Sequence, residues 1–140
     1  MNFEPLAVFS AFRAKEAGPA AVVVKFPKEL GFVSHPLPLY LEYVKHSPDG
    51  FQWGYSGSGP SQLAFAMLMK TFELHFSKLH MDDRISLTRK IYVDFREEFV
   101  AAPLSNVSGW SIPSVLVAKW IIKQEAYLDL VEHVTNLYEE

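Results

Sequence analysis

Cysteine is absent from this 140-residue chain. That removes disulfides, thiolate nucleophiles and cysteine-ligated metal together, and it suits a reducing compartment. Long apolar runs are missing too: no stretch of about 18 apolar residues is free of charge, so no membrane span is expected. The opening residues, Met1-Asn2-Phe3-Glu4-Pro5, lack a basic segment followed by an apolar one, so no secretory signal is expected. Basic charge is in short supply, with 13 Lys and Arg against 16 Asp and Glu and a formal net charge of −3. No global field therefore draws nucleic acid, and nucleic-acid binding is not expected. The expectation is a soluble, cytoplasmic protein. No internal repeat or low-complexity tract interrupts the chain.

What is present is apolar mass. Hydrophobic residues make up 49% of the sequence, enough for the core of a single domain spanning 1–140. The organising stretch is Ser47–Phe72, SPDGFQWGYSGSGPSQLAFAMLMKTF. Ser47-Pro48-Asp49-Gly50 has turn chemistry, with proline second and glycine fourth. Phe51 to Tyr55 reads as a short strand with alternating aromatics. Gly57-Ser58-Gly59 supplies backbone freedom, and Pro60 presets the backbone angle for the first position of a helix.

These residues carry a resemblance. Ser47, Pro48, Gly50, Phe51, Trp53, Gly54, Tyr55, Gly57, Ser58, Gly59, Pro60, Leu63 and Ala64 match a hallmark of roughly SPxGFxWGYxGSGPxxLA. A weaker match runs through Tyr92, Phe95 and Phe99-Val100-Ala101 to Trp110, Ile112 and Trp120. The chain resembles, from about Phe12 to Lys123, a family of small uncharacterised bacterial, archaeal and phage-associated domains. The resemblance implies no activity, no cofactor and no catalytic residue. It does imply a mobile-element context.

Read in order, the chain begins with strands. Leu6 to Ala14 mixes Val8, Phe9 and Phe12 with small residues and reads as one. Ala20 to Phe26, with Val22-Val23-Val24, is another, because β-branched side chains lose little by being held extended. Lys28-Glu29-Leu30 fits one helical turn. Leu39, Leu41 and Tyr43 alternate with polar or smaller neighbours and fit a further strand or an extended edge. Short connections without crossover helices make the sheet antiparallel.

Helices follow. Pro60 to Phe76 has almost no polar face, so it is expected at the centre of the core. A second helix starts near Asp82-Asp83, with Leu87, Ile91, Phe95 and Phe99 four apart on one stripe, and stops at Pro103. Ser105 to Gly109 reads as a polar loop. A third helix starts near Pro113 and runs to about Tyr138, or breaks near Gln124. The fold class is α+β: an N-terminal antiparallel sheet of three or four strands packed against three helices, with the central buried helix at about 60–76.

Candidate chemistry gathers in the glycine-rich stretch. Trp53 and Tyr55 could stack on a base or sugar, while Ser56, Gly57, Ser58, Gly59 and Gln62 offer hydroxyls, amides and close backbone approach to a nucleotide-like ligand. A phosphate loop would want lysine and then Ser or Thr after its last glycine, whereas Pro60 follows Gly59. No nucleophile elbow forms, because the final glycine is missing. His75 and His80, five apart, fall on different sides of a helix end, so no metal is expected with Asp82 and Asp83. Glu97 and Glu98 point about 100° apart on a helix and read as solvated ion-pairing groups among Arg84, Lys90 and Arg96.

The segment from Gln124 to Glu140 contains five acids and no lysine or arginine. It reads as an acidic amphipathic extension whose Glu125, Asp129 and Glu132 could meet a basic partner or a second copy. The leading expectation is a non-catalytic interaction or inhibitory module that acts by binding another macromolecule, with a protein or a second copy of the chain as the expected partner. The alternative is a small-ligand binder at the Trp53–Pro60 loop.

Overall fold

A computed structural model describes residues 7–13 and 20–139, with side chains to residue 133. The run of valines lies in the first half of β2 (Ala21–Lys28). It pairs antiparallel with β1 (Val8–Phe12) on one side and with β3 (Gly31–Pro36) on the other. The fourth strand, β4 (Gly109–Pro113), pairs antiparallel with β1, which gives the order β3-β2-β1-β4. Register places Phe9 opposite Val24 and Ile112, and Ala11 opposite Val22 and Trp110. Phe9, Ala11, Val22, Val24 and Trp110 are all buried, so this face meets the helices. The other face carries Ser10, whose hydroxyl lies 3.2 Å from that of Ser111, and an exposed Phe12.

The α+β class holds, but two expected strands do not form. Leu39 to Val44 is a turn instead: Tyr40 adopts φ 57°, and its carbonyl accepts from the Tyr43 and Val44 amides. Phe51 to Tyr55 makes a single bridge, Phe51 with Ala20, and then bends at Gly54 with φ 96°. The other two strands of the sheet are β3, directly after β2 and not expected as a strand, and β4, from far along the chain in the stretch read as loop and helix start. Lys28 and Gly31 close a hairpin over Glu29-Leu30, so no helical turn forms there.

Helix α1 (Ser58–His75) is enclosed on nearly every side, with Leu63 to Met69 and Phe72 all buried. It begins two residues before Pro60. Proline is tolerated there because the first four amides of a helix have no intrahelical acceptor. α1 packs on α2 (Met81–Phe95), whose Leu87, Ile91 and Phe95 are buried as the four-residue spacing required. The stripe then continues through a π-helical turn, Arg96–Val100, in which the Ala101 amide reaches back to the Arg96 carbonyl at 2.8 Å. That turn stacks Phe99 on Phe95 with ring centroids 4.7 Å apart. A short 3-10 turn, Ala102–Leu104, contains Pro103.

The last helix is broken. α3 (Ser114–Ile121) and α4 (Glu125–Glu139) are separated at Gln124, whose amide donates to Ile121 and whose carbonyl accepts from Tyr127 and Leu128. After the break, Tyr127 meets Phe76 edge-on, with ring centroids 5.5 Å apart.

Candidate functional site

Trp53 anchors the glycine-rich stretch to the rest of the molecule. Its side chain is buried, its indole N–H donates to the Val107 carbonyl at 2.7 Å, and its ring meets Trp110 edge-on at 5.7 Å. The Arg13 guanidinium lies 4.3 Å from the centre of the same ring. Gly54 then lets the chain pass Leu104: a β-carbon there would sit 3.1 Å from the Leu104 carbonyl oxygen, and φ of 96° favours glycine. The bend leaves Tyr55 half exposed. Trp53, Gly54 and Tyr55 form one wall of an open cleft of about 390 Å3, and Leu104 to Ser108 form the other.

Ser56 faces elsewhere. Its hydroxyl lies 2.8 and 2.9 Å from the two carboxylate oxygens of Glu97. Arg96 grips the same carboxylate through Nε at 2.8 Å and Nη2 at 2.7 Å. Arg96 Nη1 donates to the Ser61 hydroxyl, which donates onward to the Gly57 carbonyl at 2.6 Å. The Ser56 hydrogen bond first, and the Arg96 contacts after it, hold the Glu97 carboxyl below its usual range. An acid of the chain's own is thus bonded to Ser56, one residue before the α1 N-cap, Gly57. A phosphate cradled by Gly57-Ser58-Gly59 would find the Ser56 hydroxyl and the Arg96 fork already taken.

Gln62 is wholly buried and fully engaged. Its Oε1 accepts from the His46 and Ser47 amides at 2.8 and 3.0 Å, and its Nε2 donates to the carbonyls of Leu39 and Val44. One amide thereby satisfies four backbone groups of the 39–47 segment, as buried polar groups require. Gly59 lies against Gln52, while Ser58 is exposed and its hydroxyl has no hydrogen-bond partner among the described residues. The structure therefore brings Trp53 and Tyr55 to a common cleft and turns Ser56, Gly59 and Gln62 to internal contacts.

Several roles escaped the sequence. Arg13 and the Leu104–Ser108 wall are remote from the motif in the chain, and only pairing of β1 with β4 brings them to it. Asn106 gives one local signal, since it adopts φ 61° in a conformation that asparagine tolerates. Glu97 and Glu98 separate as expected for neighbours, but into specific contacts: Glu98 accepts from the Trp120 indole while Glu97 takes Ser56 and Arg96. His75 is buried with its Nε2 2.7 Å from the Ser114 hydroxyl, and His80 precedes α2. Among the described residues no group of three His, Asp or Glu could hold a metal, and no helix is long and apolar enough to cross a membrane.

On α4, Glu125, Asp129 and Glu132 are exposed. Glu125 and Asp129 line a shallow cleft of about 440 Å3 against Asp83, Ser86 and Lys90 of α2.

Residues 31–123 match a protein family. The chain belongs to DUF6166, a family of unknown function. The matched region includes β3, the Trp53–Gln62 motif, β4 and α3, and begins later than Phe12, the start expected from the resemblance. β1, β2 and α4 lie outside the family match. No curated protein and no solved structure matches the chain significantly.

Proposed function

We propose that this protein is a non-catalytic binding module that captures another protein by adding a strand to its sheet at β3. The observation that carries the reading is the outer edge of β3, which pairs with no other strand among the described residues. Bonding alternates along a hairpin, and the Leu37 amide donates to Val22, so the backbone groups of Phe32 and Ser34 point away from β2. Edge strands are usually blunted with charge. Gly31–Pro36 contains no lysine, arginine or acid, and Pro36 withholds a donor only at its far end. Leu30 at the hairpin tip is fully exposed, and Phe32 is 62% exposed. Outward amides and carbonyls supply affinity for an extended segment, and apolar side chains beside them supply selectivity.

A catalytic reading has less support. The buried His75–Ser114 pair has hydrogen-bond geometry, but a nucleophile with no exposed surface cannot meet a substrate. The resemblance to phage-associated domains favours an inhibitor carried by a mobile element and working in the cytoplasm. The acidic positions Glu125, Asp129 and Glu132 offer a second surface, suited to a basic partner.

Photo-crosslinking tests the reading. A photoreactive residue at Phe32, at Ser111 on the opposite sheet edge, or at Glu132 would be irradiated in the native host. Adducts concentrated at Phe32 are expected, and their mass separates a second copy from a different protein. Equal labelling at Phe32 and Ser111, or none at Phe32, would remove the support for strand addition.

A further inference from the structure

We propose that the cleft between Trp53-Gly54-Tyr55 and Leu104–Ser108 binds a small organic phosphate of nucleoside monophosphate size, held by Arg13. This site is separate from the β3 edge and stands or falls independently of the function proposed for it.

Among the described residues, Arg13 is the only charged one lining the cleft, and no acid lines it. Among the described residues the guanidinium has no carboxylate partner. Its one side-chain hydrogen bond, from Nη2 to the Trp53 carbonyl, is long at 3.4 Å. Its Nε is buried without an acceptor. A buried guanidinium N–H left unpaired is costly, and an oxyanion is the group that a planar fork of donors accepts best. Stacking on the Trp53 ring holds the guanidinium in position, so little side-chain freedom remains to be lost on binding.

The rest of the cleft suits the organic part of such a ligand. Its volume, about 390 Å3, falls in the range of small-molecule sites and exceeds what an inorganic anion fills. Tyr55 presents a half-exposed ring for stacking, and Ser105, Asn106 and Ser108 bring hydroxyl and amide groups to the opposite wall. The start of α1 is the competing anion site, but Glu97 already takes the Ser56 hydroxyl and the Arg96 guanidinium beside it, so those donors are occupied. Positive charge without an internal partner is found instead at Arg13.

The tryptophan indoles provide the test. In a nitrogen-labelled sample the Trp53 indole signal would be followed during titration with adenosine monophosphate, adenosine and inorganic phosphate. The Trp120 indole, bonded to Glu98, serves as an internal control. The expected result is a saturable shift of Trp53 and not of Trp120, with the monophosphate at least about tenfold tighter than adenosine or phosphate. Arg13→Gln should abolish the preference over adenosine, and Tyr55→Ala should weaken the monophosphate by a similar factor. If Arg13→Gln loses the dispersed indole signals of a folded protein, the half-exposed Tyr55 and the wild-type comparison still decide the matter. A 5′-phosphorylated tetranucleotide separates a free nucleotide from a strand end, and weaker binding than the monophosphate is expected. The proposal is overturned by no saturable Trp53 shift, by equal affinity for adenosine, by an Arg13→Gln variant that keeps the preference, or by tighter binding of the tetranucleotide.

Discussion

Gly59 passes so close to Gln52 that a β-carbon built on it would lie 2.6 Å from the Gln52 β-carbon and 3.2 Å from the Gln52 backbone nitrogen. Neither atom is the far end of a flexible side chain, so the start of α1 or the 51–53 segment must shift to admit alanine. Gly57 differs: the obstacle at 2.6 Å is the half-exposed Tyr55 ring, which can swing into solvent. Gly59→Ala is therefore expected to cost about 1–3 kcal/mol. Gly57→Ala should cost less than about 1 kcal/mol. Urea melts of both variants check this, and equal losses would contradict it.

Gln62 ties four backbone groups of the 39–47 segment to α1. Gln62→Leu fills similar space but leaves two amides and two carbonyls without partners, with an expected loss of about 2–4 kcal/mol. Hydrogen exchange at the His46 and Ser47 amides should accelerate more than exchange in β2. A uniform change across the protein would mean that Gln62 acts through packing alone.

The Glu97 carboxyl is held below its ordinary range in the folded protein. A depressed folded value means that its contribution is complete above the unfolded carboxylate pKa and is lost as pH falls through the folded one. Melting temperature should therefore decline in acid more steeply for the wild type than for Glu97→Gln. Melting curves from neutral pH to about pH 3 read the difference, and parallel curves would show that the Ser56 and Arg96 contacts do not stabilise the charged form.

A fragment of residues 31–123, the part that matches the family, would retain both outer strands and neither of the strands between them. It should show no cooperative melt. A fragment of residues 1–123 keeps the sheet and loses the Tyr127 contact to Phe76, so it should melt cooperatively at a lower temperature than the full chain. Circular dichroism during heating distinguishes the two. A cooperative transition in the shorter fragment would show that β1 and β2 are dispensable.

The parts of the fold legible in the sequence are those whose partners are local or whose pattern is long. Val22-Val23-Val24 announced β2, and the Leu87–Ile91–Phe95 spacing announced the buried stripe of α2. Gly109-Trp110-Ser111-Ile112-Pro113 did not announce β4, because glycine and proline at its ends read as loop and its extended form depends on distant β1. Leu39 to Val44 misled in the other direction: its alternating pattern fits a strand, but Gln62 captures the carbonyls that a strand partner would need. A lone amide in the apolar run of α1 was the signal for that. In the candidate site, Trp53 and Tyr55 were legible as aromatics beside glycines, whereas Arg13 was not, since nothing near it in sequence hints at Trp53.

The strand order β3-β2-β1-β4 also sets a schedule for synthesis. β1 can pair with β2 as soon as both have emerged, but its other edge waits for residues 109–113 while α1 and α2 are made. At about 5–20 residues per second the wait is roughly 4–17 s. During it, the nascent chain presents β1 with one edge unpaired and, once made, the apolar surface of α1, the combination that chaperones at the ribosome exit are suited to shield.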